Sequence, residues 1–583
     1  MNPVIKAQVV DFSTIENLEN RTESERFEIY SIYSILGGQV GQVVTATDAH
    51  LSGYEFGLDG LAIIVQGRLI TDTSEAEQVI QDVKNPEIDF YFFQSKTGTV
   101  FDYGNISKFF DSVTGFFDSG MDGESAQLDD LIAAKNVLYE KAVGRRNPGL
   151  HVYYCCTGNY DNPARIEKLK ETTLEQWSDL NIFDQSRTSV HMIGAKELQR
   201  LYRAASSAVE ATIDFPRNVV LPNHDSVEEA YLGYLTAEEI IKIITIRNED
   251  GGLQDINRSV FFDNIRDFDP DSKINKDVSS TLQKGEANDF IFRNNGITVV
   301  AKSIDRTGDR FRIEDYQVVN GCQTCNILFN NREVTAGVHV PFRLIGTKDD
   351  DFISSIIAGT NRQNAVREEQ FWALRPFMKN FEEYCKSLDD ERRIFFERRE
   401  NQFRGQKVEK ARIMQPSTLM KAVAATLLNE PNRSARDYRG ITAEYQDKLF
   451  LDEHDVRLYH AACYLYYRLD YLWRNQKLDN ELKLFRFYFM AAIGKVALGE
   501  RRIGISNVFA LKRQDIEAIS EKIVSLAGSE NRLRKVIQEI YDLLEILINK
   551  ANITTREQLR DTIRSESFAK AFDEVLAVNP ISL

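Results

Sequence analysis

Two apolar runs stand close together near the N-terminus: residues 54–70 read YEFGLDGLAIIVQGRLI and residues 88–96 read IDFYFFQSK. Within them, residues 61–65 and 88–93 are rich in β-branched and aromatic side chains and are bounded by Gly, Asp, Asn or Pro. This composition is typical of short buried strands. The two runs are therefore predicted to be neighbouring strands of one sheet.

Polar side chains stand at the ends of these two runs. Asp59 precedes the first run, and Gln94 and Lys96 follow the second run, separated by Ser95. Alternate residues of a strand share a face, so one acid, one amide and one lysine are expected to converge. Carboxylate and amide oxygens suit a hard divalent cation such as Mg²⁺. A lysine beside it lowers the pKa of an attacking water or neutralises the charge of a phosphodiester.

A helix is predicted upstream, where residues 23–36 read ESERFEIYSIYSIL and end before Gly37 and Gly38. It offers Glu25 and Glu28 three residues apart on one face. Glu28 stands among apolar and aromatic neighbours, so it is the acid expected to point inward.

These residues follow one another in an order that resembles the PD-(D/E)XK nucleases: a helix glutamate, an aspartate before a strand, then Gln-x-Lys. Gln94 replaces the usual acid, as in the Mrr-like restriction endonucleases, whose FE, GxDG and QxK motifs stand here at 27–28, 57–60 and 94–96. The resemblance implies a nuclease that uses Mg²⁺ or Mn²⁺, with Glu28, Asp59 and Gln94 around the metal. Lys96 would then lie at the scissile phosphate. The alternative is that Asp59 caps a turn and Lys96 is a solvated strand-end charge.

Composition describes a chain of several domains, with 583 residues, 43% hydrophobic residues and a formal net charge of −16. No stretch approaches the roughly 20 apolar residues that span a bilayer, and the N-terminus shows no signal-peptide pattern. We therefore expect a cytoplasmic protein without a membrane partner. The acidic balance argues against indiscriminate binding of nucleic acid. The six cysteines, including Cys322 and Cys325, are predicted to be reduced.

One basic segment departs from this acidic balance, between residues 391 and 412. Arginines at 392, 393, 398 and 399 alternate with phenylalanines, as on surfaces that track phosphates and stack bases. This pattern predicts a nucleic-acid-binding role for Arg392, Arg393, Arg398 and Arg399. A solvated amphipathic helix would give the same string.

Amide-rich turns mark the middle of the chain at residues 294–296, 320–324 and 360–364. They predict a polar pocket that binds a ligand or has a regulatory role, formed by Asn295, Asn320, Gln323, Asn361, Arg362 and Asn364. The alternative is that these amides only satisfy turns and nearby backbone groups.

The same region contains NDFIFRNNGIT, VVNGCQT and GTNRQNAV. With these motifs, residues 240–420 resemble the AIPR family, named for abortive infection phage resistance. The resemblance implies a bacterial anti-phage context. It also implies an N-terminal nuclease-like region, which favours the nuclease interpretation.

Helical periodicity dominates beyond residue 414, where apolar residues recur at i, i+3 and i+4. The predicted fold is α/β: a restriction-endonuclease-like domain at 1–210, a second α/β domain at 220–415 and a helical bundle at 416–583. The bundle packs on the middle domain or forms a homodimer interface. No P-loop motif is present, so any ATPase would be a separate defence-system partner.

The sequence thus predicts a metal-dependent DNA endonuclease of anti-phage defence, regulated by its AIPR domain. The alternative is a non-catalytic sensor or adaptor that binds nucleic acid.

Overall fold

The computed structural model describes the chain except for residues 41–43, 53–56, 83–85, 119–124, 142–145, 248–252, 262–288, 361–374, 400 and 500–502. The chain divides into two compact units. The first comprises Met1–Phe12, Glu23–Arg367 and Arg399–Lys407, and the second comprises Ser13–Thr22, Glu368–Arg398 and Val408–Leu583.

The first unit begins with a mixed five-stranded sheet of order β2-β1-β3-β4-β5. Its strands are β1 (Gly60–Val65), β2 (Arg68–Ile70), β3 (Ile88–Lys96), β4 (Gly149–Cys156) and β5 (Thr188–Ile193). Strand β1 runs antiparallel to β2 and β3, whereas β3, β4 and β5 are parallel. The helices of this part of the chain are α1 (Pro3–Ile15), α2 (Glu23–Leu36), α3 (Thr73–Asp82), α4 (Tyr103–Phe116), α5 (Ala126–Lys141), α6 (Ala164–Asp179) and α7 (Ala195–Ser206).

The predicted pair of strands is confirmed, and its burial explains the apolar runs. All six residues of β1 are buried, as are the first eight residues of β3. One face of both strands packs on the apolar stripe of α4, which includes Phe109 and Phe116. Helix α2 spans the predicted residues, and Ile32 of α2 approaches Gly60, where a Cβ would meet the Ile32 side chain at 2.5 Å.

A second sheet follows within the same unit, with six strands in the order β6-β12-β11-β13-β8-β7. Its strands are β6 (Glu210–Asp214), β7 (Asn218–Val220), β8 (Glu229–Thr236), β11 (Ile297–Thr307), β12 (Arg310–Asn320) and β13 (His339–Gly346), and a separate pair is formed by β9 (Thr245–Arg247) and β10 (Leu253–Ile256). The helices here are α8 (Ala237–Ile244), α9 (Phe290–Arg293), α10 (Cys322–Asn330) and α11 (Asp350–Thr360). Since both sheets lie in one unit, the domain boundary between residues 210 and 220 stays a prediction.

One detail of the middle region differs from the sequence interpretation. The residues before the predicted turn at 294–296 are strand-like in sequence, but Phe290–Arg293 form a helical turn and the strand starts after the turn, at Ile297. Gly296 separates the two with a φ of 87°, a left-handed conformation that breaks an extended run.

The second unit is mainly helical. Its helices are α12 (Pro376–Ser387), α13 (Pro416–Leu428), α14 (Pro431–Arg436), α15 (Tyr438–Tyr445), α16 (Val456–Arg474), α17 (Arg486–Leu498), α18 (Ile505–Val508), α19 (Arg513–Gly528), α20 (Glu530–Lys550), α21 (Arg556–Ile563) and α22 (Glu566–Val578), with a short strand pair β14 (Phe395–Phe396) and β15 (Ile413–Met414). Tyr459, Cys463 and Tyr467 on α16 lie in one apolar core with α13, α17 and α19. The predicted combination of α/β sheets and a C-terminal helical region is confirmed.

All six cysteines are buried and none forms a disulfide, as expected of reduced core residues. Among the helices that the structure describes, none has the length and apolar character needed to cross a membrane.

Candidate active site

The predicted residues meet where β3 ends beside the start of β1. The ladder pairs Gly60 with Phe93, and the Asp59 amide continues it by donating to the Phe93 carbonyl at 3.0 Å. The register therefore brings Asp59 beside the 94–96 segment. Chain reversal between β1 and β3 supplies the convergence that the motif spacing predicted.

Asp59 is held by its neighbours on β3. Its Oδ2 accepts a hydrogen bond from the Ser95 amide at 2.7 Å and lies 3.6 Å from Lys96 Nζ. Burial and the charge of Glu28 together raise the pKa of Asp59 to about 6, against the opposing effects of Lys96 and the Ser95 N–H. The pair is not sealed from solvent, because one third of the Lys96 side chain is exposed. Asp59 is thus a carboxylate whose charge is only partly compensated.

Glu28 projects from α2 and contacts His50, which belongs to none of the sequence motifs. Glu28 Oε2 lies 2.9 Å from His50 Nε2, while Glu28 Oε1 accepts from Ser24 at 2.9 Å. His50 is 1% exposed, and its Nδ1 has no partner among the described residues. A backbone bridge to Gly60 positions His50 next to the site. The sequence around His50 contains no motif that predicts this contact with Glu28.

Gln94 has one satisfied and one unsatisfied end. Its Nε2 donates to the Gly57 carbonyl at 2.7 Å, which fixes the orientation of the amide. Its Oε1 is buried and lacks a hydrogen-bond partner in the described part of the chain. An unpaired buried acceptor costs about 1–3 kcal/mol, so this oxygen is a position where a cation or a water would be stabilised.

The donor set fits a hard cation that keeps several waters. Asp59 and Gln94 Oε1 supply a carboxylate and an amide oxygen, which are the ligand types that Mg²⁺ and Mn²⁺ take. No cluster of three His, Cys, Asp or Glu side chains with metal-site geometry occurs in the described ranges. Any cation here would therefore depend on Gln94 and on water as well as on the acids.

The structure describes three of the six residues that were predicted to form the amide pocket. Asn294 Nδ2 donates to Thr324 at 2.9 Å, and a Cβ on Gly321 would meet the Gly296 carbonyl at 2.7 Å, so the two turns pack together. Asn320 ends β12 opposite Thr298, and Gln323 lies in the first turn of α10. Asn295, Asn320 and Gln323 are exposed or half-buried. Asn361, Arg362 and Asn364 lie outside the described residues.

The four predicted DNA-binding arginines have different surroundings. Arg398 and Arg399 are 6% exposed and form ion pairs with Glu382 and Asp350, respectively. Arg393 donates to the Leu388 carbonyl, and Arg392 is 41% exposed and pairs with Glu521. Buried, paired guanidiniums cannot track a phosphate backbone, so this role is not supported for Arg398 and Arg399.

The comparisons with known proteins concern the second half of the chain. No curated protein and no solved structure matches the chain. The family model described as AIPR protein matches residues 261–552, which is half of the 583 residues. This range starts before β11 and continues past the end of α20, and all three motifs lie within it. The chain belongs to the AIPR family.

Proposed function

We propose that this AIPR protein is a metal-dependent endonuclease that hydrolyses DNA in bacterial phage defence. The family, named for abortive infection phage resistance, supports the defence role. One observation supports the chemistry: Asp59, whose pKa is raised by burial and by Glu28, lies 3.6 Å from Lys96 and accepts from the N–H of Ser95, the residue after Gln94 with its unpaired Oε1. Perturbed carboxylates next to a lysine are typical of sites that handle charged substrates.

Asp59 and Gln94 would hold Mg²⁺ or Mn²⁺, with Glu28 as a further acid near them. When bound, the cation would activate a water and polarise a phosphoryl oxygen. Its positive charge would also relieve the mutual repulsion of Asp59 and Glu28, which raises the pKa of Asp59 in the free protein.

Lys96 has the position and mobility to contact the substrate. Its ammonium is 3.6 Å from Asp59 and one third of its side chain reaches solvent, so it can turn toward a phosphate. A fixed positive charge at the scissile phosphate stabilises the extra negative charge of the transition state. Glu28 and His50 are held against each other, which keeps the Glu28 carboxylate facing the site.

The test is cleavage of plasmid and phage DNA by the full-length protein in Mg²⁺, in Mn²⁺ and in EDTA. We expect cleavage with either cation and none in EDTA. Lys96→Ala protein purified in the same way controls for contaminating nucleases. Cleavage that persists in EDTA, or that the Lys96→Ala protein retains, contradicts the proposal.

A non-catalytic sensor or adaptor is the second candidate. It is favoured by the net charge of −16 and by the burial of Arg398 and Arg399, which leave little basic surface for DNA. Phage protection in cells without DNA cleavage in either cation would support it over the endonuclease.

The AIPR region is proposed to regulate the first sheet's site rather than to cut. Its paired turns expose amides, which are poor general bases but effective hydrogen-bonding groups. Asn320→Ala combined with Gln323→Ala should alter phage protection in cells while leaving the metal dependence of cleavage unchanged. Wild-type protection by this double variant would reduce the turns to a structural role.

A further inference from the structure

The second unit contains a cavity of about 510 Å³ whose lining is dominated by arginines. Arg392 comes from the segment after α12, Arg412 precedes β15, and Arg468 lies on α16. The Tyr464 side chain and the junction between α19 and α20, at Gly528 and Ser529, complete the wall. We refer to this cavity as the arginine pocket. Its volume lies within the roughly 300–1,000 Å³ typical of small-molecule sites.

Each guanidinium is fixed in place by contacts that leave other donors available. Arg392 forms a bidentate pair with Glu521 at 2.9 and 3.0 Å. Arg412 donates to Glu409 at 2.8 Å and to the Arg393 carbonyl at 3.0 Å. Because a guanidinium carries five N–H groups, these contacts preorganise the arginines without exhausting them.

Arg468 is the least compensated of the three. Its Nε donates to the Ala527 carbonyl at 3.0 Å, and its guanidinium lies 4.6 Å from the centre of the Tyr471 ring. No carboxylate pairs with it among the described residues, and its Nη1 and Nη2 groups have no hydrogen-bond partner there. The aromatic contact stabilises the charge and leaves the planar fork open to the pocket.

The lining of the arginine pocket contains more cations than acids, while Arg392 and Arg412 each pair with a carboxylate outside the lining, Glu521 and Glu409. Glu391 is the one acid in the lining, against three arginines. Burial raises the pKa of Tyr464, whereas Arg468, Arg412 and Arg392 oppose that rise, and Glu391 adds to it.

The wall of the pocket also includes two helix ends, the C-terminus of α19 at Gly528 and the N-terminus of α20. Helix α20 is 21 residues long, starts at Glu530, and has Ser529 as an N-cap without a side-chain capping bond. The first backbone N–H groups of a helix lack partners within the helix and attract anions.

We propose that the arginine pocket binds a compact polyphosphate, such as the triphosphate group of a nucleotide. The open fork of Arg468 can match two phosphate oxygens, and the remaining N–H donors of Arg392 and Arg412 around the same cavity suit a chain of phosphates better than a single carboxylate. The volume suits a small ligand, whereas a nucleic-acid strand is tracked along an extended groove. This site is separate from the proposed nuclease site, and its binding does not depend on cleavage.

The test is isothermal titration calorimetry of the full-length protein with ATP, inorganic pyrophosphate and sulfate, in the absence of DNA. We expect saturable binding of ATP and pyrophosphate, and much weaker binding of sulfate. Arg468→Gln should weaken both by about 10-fold, because a charge-assisted hydrogen bond contributes enough for such a change. Arg534→Gln, at an exposed position on α20, is the matched control and should bind as the wild type does.

Tyr464→Phe provides a second variant that preserves the packing of the ring. It should also weaken pyrophosphate binding while leaving the melting temperature of the free protein unchanged. The proposal is overturned if the wild type binds neither ATP nor pyrophosphate, if sulfate binds as tightly as pyrophosphate, or if folded Arg468→Gln protein binds as well as the wild type.

Discussion

Asp89 lies near the start of strand β3, whereas Asp59, which precedes β1, lies beside the end of β3. The charges around these two carboxylates differ. Asp89 forms an ion pair with Arg187 and a contact of 3.1 Å with His151 Nε2. Burial opposes its charge, but Arg187 and His151 outweigh the burial, so the pKa of Asp89 lies well below its usual range. Burial and Glu28 instead raise the pKa of Asp59 to about 6.

The difference separates an acid whose charge is compensated from the acid that we propose to be functional. Glu87, next to Asp89, adds pairs with Arg187 at 3.1 Å and Arg258 at 2.7 Å, so acids and arginines compensate one another at that end. At the Asp59 end, one lysine faces two acids and the Gln94 oxygen has no partner. A charge that the fold does not compensate leaves room for a cation and a substrate to do so.

The largest expected effect is on stability, at the compensated end. Asp89→Ala leaves buried arginine charge without its partner, which costs about 3–5 kcal/mol of unfolding free energy. Urea unfolding measures this loss. Whatever protein remains folded should cleave DNA at the wild-type rate; a folded but inactive variant would extend the active site to Asp89.

The next effect is on catalysis, at the uncompensated end. Asp59→Ala and Lys96→Ala should each lower the cleavage rate by about 10²–10³-fold, since each removes a charge that acts on the reacting groups. Both residues flank the strands and leave no apolar cavity, so circular dichroism should show an intact fold. Lys141→Ala, an exposed lysine paired with Glu77, is the control and should cleave normally. Near-normal cleavage by either site variant would contradict the assignment.

Asp59→Asn should stabilise the metal-free protein at high pH. The folded-state pKa of Asp59 is raised above its usual value, so ionisation costs stability as the pH rises through about 6. The variant avoids that cost, and we expect it to be about 1–3 kcal/mol more stable than the wild type at pH 8 and equal to it at pH 4. Urea unfolding in EDTA at both pH values measures this, and a destabilised variant at pH 8 would show that the charge of Asp59 supports the fold.

The smallest expected effect is that of Gln94→Glu. Its comparison with Gln94→Lys tests whether the Gln94 side chain binds the cation. Gln94→Glu keeps an oxygen donor, and cleavage in Mg²⁺ should stay within about 10-fold of the wild type. Gln94→Lys places a cation where the amide oxygen lies, so it should remove cleavage. Comparable rates for the two variants would exclude Gln94 from cation binding.

Local patterns predicted the elements of the first sheet because burial and periodicity are encoded by neighbouring residues. The sequence predicted strands β1 and β3 and helix α2 close to the positions that the structure gives them. The basic segment shows where such reasoning fails: Arg398 and Arg399 have the pattern of a surface, but their partners Glu382 and Asp350 are remote in sequence. His50 was missed for the same reason, because its contact with Glu28 depends on the packing of α2.

The sequence by itself determined which polar residues stand on or at the ends of the N-terminal elements, namely Glu28, Asp59, Gln94 and Lys96. Only the tertiary structure decided which charges are compensated. Asp89 and Asp59 are both acids next to apolar strands, and nothing local distinguishes them. Register, chain reversal and distant arginines set the field at each carboxylate, because electrostatic energy depends on distance and burial rather than on order along the chain.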